Sequence, residues 1–261
     1  MFGIRSDQAQ LTTIAGIIRE DYQRYPRPQQ VFVLDRSKQI NLGTAEGCFE
    51  LLLYAILLGA KVQQSVVSTT FWHLRQAGLT RLERLKPGAE AEVLAVLSHH
   101  YRALTPHRRK AAALVQAAER IRSGYHGDIR ELYGRERRAA DLVARLRQFP
   151  GIDRRAYWFC REMKYAGVWP DLDQRACLAI DHDVKIPLWF LGFVGADRFF
   201  LRDIRSVDCL KVIDTYFGGD VLPLVALARR GCRVGDSDLC RARCAVFAMC
   251  QVRFDKSAGC F

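Results

Sequence analysis

Five of the nine cysteines in this 261-residue chain fall within its last 30 residues. Four of them follow the spacing Cys232-x7-Cys240-x3-Cys244-x5-Cys250. Four thiolates in so short a run can wrap one soft-ligand centre, and zinc and an iron–sulfur cluster are the candidates. Structural zinc usually takes paired Cys-x2-Cys knuckles, which this run lacks. The looser loop favours a [4Fe-4S] cube, whose four irons each take a ligand from a different direction. Cys48, Cys160, Cys177 and Cys209 stand singly among apolar neighbours and read as small buried hydrophobes.

Two further groups of residues could do chemistry. Phe149-Pro150-Gly151-Ile152-Asp153 joins two short helical segments. Such a turn leaves the first amides of the following helix unpaired, where they can hold a phosphate without reading sequence. Arg154 and Arg155 follow directly and add charge. Downstream, Asp171, Asp173, Asp181 and Asp183 make an acidic island in a basic chain. One fixed carboxylate can stabilise an oxocarbenium-like sugar and orient a water during cleavage of an N-glycosidic bond. Asp171 and Asp173 read instead as helix caps or partners of Arg175 and Lys185.

The elements that must position these groups are helical. Leu11, Ile14, Ile18 and Tyr22 form one helix face, with Ser6 or Asp7 as cap. Tyr25–Gly43 reads as an irregular linker with one β-like run at Gln30–Leu34. Glu46–Lys61 is apolar nearly all round, which predicts a buried central helix. Thr105-Pro106 starts a helix that stops at Gly124. Asp141–Gln148 is another, and a further helix from Asp153 carries Tyr157, Trp158 and Phe159, of which at least one must point inward. Together these predict an all-α protein.

The net charge is +12, from 40 basic and 28 acidic residues. Residues 100–161 alone carry a surplus of nine positive charges. A concentration like this suits a polyanion, nucleic acid being the commonest, although arginine-rich solvated helix faces would give it too. The apolar fraction, 49%, excludes a disordered chain. No apolar run reaches bilayer length and no basic-then-apolar leader opens the sequence, so a protein away from the membrane, in the cytoplasm, is expected.

In order, these segments resemble the helix-hairpin-helix DNA glycosylases of the endonuclease III branch, over about residues 45–250. Phe49–Lys61 is similar to the buried helix that delivers a wedge residue into DNA. His107–Ile121 is similar to the helix after the second wedge loop. Phe149–Ala156 matches the hairpin and Ile180–Val184 the turn bearing the catalytic aspartate, with the cysteine loop following. The resemblance implies a two-lobed fold, with a six-helix barrel over 42–175 and an iron–sulfur lobe from 1–41 and 176–261. It implies double-stranded DNA as partner of a monomer, nucleoid-associated in a prokaryote, and a base flipped out of the stack. Asp181 falls on the catalytic carboxylate. Lys61 falls on the polar wedge, with Gln63 and Gln64 beside it. Leu104, Pro106 or His107 would supply the opposing wedge, next to Arg108 and Arg109. Gly151, Asp153 and Arg154 would meet phosphate, and Cys232, Cys240, Cys244 and Cys250 would hold the [4Fe-4S] cluster.

The departures from the family pattern are informative. Bifunctional members carry a nucleophilic lysine where Arg155 stands, and arginine remains protonated. Lys164, farther along the same helix, is the remaining amine for strand cleavage. Ala55 stands where adenine-specific members have a glutamate. Asp153 replaces the second hairpin glycine, and its charge would oppose a nearby phosphate unless its side chain turns back to cap the next helix. The expected function is a monofunctional DNA N-glycosylase that excises a damaged or modified base, with His182 or Asp183 tuning Asp181. The alternative is a non-catalytic iron–sulfur protein that recognises distorted duplex.

Overall fold

Every residue from Gly47 to Leu57 is buried in one helix, α2 (Ala45–Leu57). Its apolar sequence, predicted to run to Lys61, leaves no face for water, so other helices surround it. The structure is a computed structural model and describes residues 7–24, 30–32, 39–58, 62–101, 107–135, 138–195, 203–232, 241 and 244–250. The described chain is predominantly helical and divides into two compact units, Arg27–Cys177 and Met1–Pro26 with Leu178–Phe261.

In the central unit α2 is followed by α3 (Gln64–Gln76), α4 (Glu90–His100) and α5 (His107–Gly124). Then come α6 (Glu131–Arg135), α7 (Ala139–Arg147), α8 (Arg155–Tyr165) and a 3-10 turn at Gln174–Cys177. Helix α2 packs against α3, α5 and α8. Thr44 caps it by accepting the Gly47 amide at 3.0 Å. A side chain at Gly47 would put its Cβ 1.7 Å from the Asn41 carbonyl oxygen, so glycine lets the preceding strand lie against the helix. The buried carboxylate of α2, Glu50, accepts from Arg75 at 2.8 Å and Thr80 at 2.9 Å. Burial raises its pKa, against the pull of Arg75.

The segment read as an irregular linker contains an antiparallel strand pair, β1 (Gln30–Phe32) on β2 (Gln39–Asn41), with Val31 opposite Ile40. The strands at 30–32 and 39–41, assigned from sequence to the terminal lobe, group with the central unit. The reason is local. β2 packs on α2, and Arg75 of α3 donates to the Gln39 carbonyl at 2.8 Å.

The terminal unit comprises α1 (Gln8–Arg24), α9 (His182–Phe190), α10 (Ser206–Phe217) and α11 (Leu222–Leu227). Leu11, Ile14, Ile18 and Tyr22 are the buried face of α1, which packs against α10 and α11. Asp7 caps α1, accepting the Ala9 amide. A π-helical turn, Ala228–Cys232, continues α11. Arg230 from this turn pairs with Asp21 of α1, and Arg229 pairs with Asp183 of α9 at 3.0 Å. Among the described residues no helix is long and apolar enough to cross a membrane.

Candidate nucleic-acid interface

The turn between α7 and α8 is built from both sides. At its start Arg120 of α5 donates to the Gln148 carbonyl at 2.7 Å, and its guanidinium lies 5.2 Å over the Phe149 ring. Phe149 and Ile152 are buried, anchoring the turn in the unit's core. Gly151 takes φ 81° and Asp153 φ 31°. Asp153 therefore occupies the left-handed region that favours glycine, at the position where the resemblance expects one. The Arg155 amide closes on Ile152 at 2.7 Å and the Ala156 amide on Asp153 at 3.2 Å. The amides of Gly151, Asp153 and Arg154 have no acceptor among the described residues. Helix α8 has no side-chain cap, so of the two alternatives for Asp153 the structure does not show the one in which it caps the helix. The helix begins two residues after it, with Arg154 at the N-cap.

The turn presses on the end of α2. A Cβ at Gly151 would lie 3.3 Å from Ile56 Cγ2 and 3.8 Å from the Lys110 ammonium nitrogen. The last carbonyls of α2 are taken by side chains from other elements. Lys110 of α5 donates to Ile56. The Tyr101 hydroxyl donates to Leu57 at 2.6 Å, and Arg155 Nε donates to Leu58 at 3.1 Å. Cations at a helix C-terminus also meet the negative end of its dipole.

Lys110 is the residue that the sequence reading passed over. It is 7% exposed, and burial first, then the charges of Arg155 and Arg109, pushes its pKa down to about 8. A signal existed. Lys110 shares the face of Leu114, Ala117 and Ile121, all buried, so its amine had to find a partner inside.

Around this point the described cations are Arg154, Arg108 and Arg109, exposed, and Arg155, half-buried. His107 starts α5 and is half-buried, while Gln63 and Gln64 are exposed at the start of α3. Lys61, Leu104 and Pro106 lie outside the described residues. Lys164 lies nine residues along α8 from Arg155, about 13 Å along the axis. Its amine donates to the carbonyls of Pro170 and Leu172, so it secures the loop after the helix. This removes it from the hairpin. Of the aromatic trio, Trp158 and Phe159 are buried, and Tyr157 lies under Arg147, 5.3 Å from ring centre to guanidinium.

In the terminal unit Asp181 is the N-cap of α9, accepting the Asp183 amide at 3.1 Å. Its side chain is half-buried and that of His182 exposed. Asp183 is buried and accepts from both Nε and Nη2 of Arg229, at 3.1 and 3.0 Å. It is thus committed to holding the π-turn rather than to tuning Asp181. Asp173 accepts the Arg175 amide at 2.8 Å, the capping role expected of it, while Lys185 donates to the Ile204 carbonyl.

Cys232 and Cys250 are buried and Cys244 is half-buried. The Cys250 sulfur reaches the Phe190 carbonyl at 3.7 Å. Cys240 lies outside the described residues, and among those described no three metal-binding side chains gather into a site. The donor type nevertheless fits a soft metal or cluster: three cysteine sulfurs in one unit, the first at the end of the turn that carries the Arg229 and Arg230 ion pairs. Cys48, Cys160, Cys177 and Cys209 are buried, and burial pushes the Cys48 thiol up to about 12, as expected of inert core cysteines.

Compared with protein-family models, curated proteins and solved structures, the chain matches none.

Proposed function

We propose that this protein is a monofunctional DNA N-glycosylase of helix-hairpin-helix type, acting as a monomer on duplex DNA that contains a damaged or modified base. The observation that carries the reading is the 149–155 turn. Three free amides, at Gly151, Asp153 and Arg154, stand among cations from α5 and α8. Donors arranged this way bind a phosphodiester backbone irrespective of sequence. The six-helix barrel and the iron–sulfur lobe of the family are part of the proposal, as is a site of action at cytoplasmic or nucleoid DNA.

In the hydrolysis the C1′–N bond breaks and the base leaves with the bonding pair. Asp181 stabilises the resulting sugar cation, orients a water for addition at C1′ and takes up its proton. Arg155 stays protonated, so no Schiff base forms there. Cys232, Cys240, Cys244 and Cys250 would hold a [4Fe-4S] cluster, which would supply a structural cross-link for the cysteine loop. Iron and sulfide analysis of anaerobically purified protein tests this directly, and stoichiometric zinc would overturn it.

The reading is tested by single-turnover assay on duplexes bearing a panel of lesions, sampled with and without hot alkali. Strand breaks after alkali alone are expected, and breaks without alkali would overturn the monofunctional assignment. A second reading, a non-catalytic reader of distorted duplex, is favoured by the carboxylate of Asp181 serving as a helix cap. It requires tight binding to abasic or mismatched duplex with no base released from any substrate.

A further inference from the structure

Lys110 and Arg155 are two cations held close to one another, with no carboxylate paired to either among the described residues. The charged groups facing Lys110 are Arg155, from α8, and Arg109, on its own helix; α2 presents the Ile56 carbonyl. His107 lies one turn earlier on α5, and the turn's own charged residues, Asp153 and Arg154, are exposed. Arg155 binds Leu58 through Nε, and its two terminal nitrogens have no partner among the described residues. Like charges confined at a partly desolvated position raise the free energy of the empty site, and carbonyl dipoles offset this incompletely.

We propose that Lys110 and Arg155 form the seat of one DNA backbone phosphate. The terminal nitrogens of Arg155 bind the phosphate, and the Lys110 ammonium behind them is the buried charge it neutralises. The inference rests on the DNA-binding reading above and adds two residues and a proton to it. A guanidinium edge fits a phosphate through two parallel hydrogen bonds. Its rigid tie to α2 fixes that edge in place. The anion in turn favours the charged form of Lys110 and returns its pKa toward the usual lysine value. At pH 8, where the amine is half deprotonated, binding must then draw in a proton from solvent.

The experiment is isothermal titration of the full chain with a duplex carrying a tetrahydrofuran abasic analogue, in HEPES and in Tris. The difference in heat gives the protons exchanged. We expect uptake of about half a proton at pH 8 and none at pH 6.5. Lys110→Met should abolish the uptake. Arg155→Gln should weaken binding roughly tenfold and lower the salt slope by about one phosphate, with diminished uptake because the like charge beside Lys110 is gone. An unchanged salt slope in Arg155→Gln overturns the proposal, as does undiminished uptake in Lys110→Met. If Lys110→Met does not fold, the slope and uptake of Arg155→Gln decide alone. Equal uptake with inorganic phosphate in place of duplex would overturn the assignment to the DNA backbone. Failure of the wild-type chain to bind any duplex would overturn the functional reading itself, whereas binding with an unaltered Arg155→Gln slope removes this inference alone.

Discussion

Arg155 donates through Nε to the carbonyl oxygen of Leu58, 3.1 Å away and 97 residues earlier in the chain. One side chain at the first position of α8 thereby fixes the hairpin to the end of the central helix. The substitution of arginine for the lysine expected by resemblance gains a physical sense from this contact. A guanidinium can tie α2 with one nitrogen and still present two others, whereas a lysine has a single nitrogen for both tasks.

Arg155→Lys tests which way this position faces. If it lies at the reacting sugar, the new amine attacks C1′ of an abasic site, water leaves, and the resulting imine is fixed by borohydride. We expect a trapped protein–DNA adduct and strand breaks without alkali, both absent from the wild type. The Leu58 contact weakens in this variant, so some loss of thermal stability accompanies the gain. Absence of any adduct from a folded variant that still binds the duplex would place position 155 away from the sugar.

Much of the helical frame was legible because its signals are local. The 3.6-residue recurrence of Leu11, Ile14, Ile18 and Tyr22 gave α1 its buried face, and an apolar run broken only by Glu50 gave α2 its central place. β2 was not legible, since Gln39-Ile40-Asn41 is three residues long and its reason for forming is a contact with Gly47 and Arg75. The hairpin was visible as Pro-Gly between two helical patterns. Lys110 was hidden for the opposite reason. A lysine in a basic stretch reads as solvated, and its burial is decided by the Ile56 carbonyl, 54 residues away. Asp181 was visible as a carboxylate, but its engagement with the Asp183 amide follows from where α9 starts.

Asp181 caps α9 and is proposed to stabilise the sugar cation, two roles that substitution can separate. Asparagine caps a helix as well as aspartate does, so Asp181→Asn should keep the hydrogen bond to the Asp183 amide and the melting temperature with it. It lacks the charge that stabilises a sugar cation, and the single-turnover rate should fall by about 100-fold or more. Asp181→Ala should lose the cap as well, costing about 1 kcal/mol in a denaturant titration. Equal rates in wild type and Asp181→Asn would exclude this carboxylate from the chemistry.

Asp153 is a residue under strain in the turn proposed to bind phosphate. Its φ of 31° costs a side chain what glycine adopts freely. Its exposed carboxylate also opposes any phosphate held by the neighbouring amides. Asp153→Gly should therefore raise stability by up to about 1 kcal/mol and tighten duplex binding several-fold, a pairing in which both changes have the same sign. Thermal melting and a fluorescence-anisotropy titration check the two parts. A loss of affinity would mean that Asp153 contacts DNA favourably, through a sugar or base donor rather than beside a phosphate.

Lys110 also predicts how stability depends on pH in the free protein. Folding pushes its pKa down from 10.5, the ordinary lysine value, to about 8, because burial and then Arg155 and Arg109 disfavour the ammonium. Between these two values the unfolded chain binds the proton and the folded chain does not. Stability at this site therefore rises with pH across that window, and the penalty for holding a buried charge is fully present below pH 8. Lys110→Met removes both the charge and its titration. The variant loses the hydrogen bond to Ile56 and the packing of a positioned amine, but its stability should show no such rise. Denaturant titrations of the two proteins at pH 7, 8, 9 and 10 measure the difference directly, with other titrating groups cancelling between them. A parallel pair of curves would show that the Lys110 amine keeps its ordinary affinity for protons, and with it that the cations behind the hairpin are not in conflict before an anion arrives.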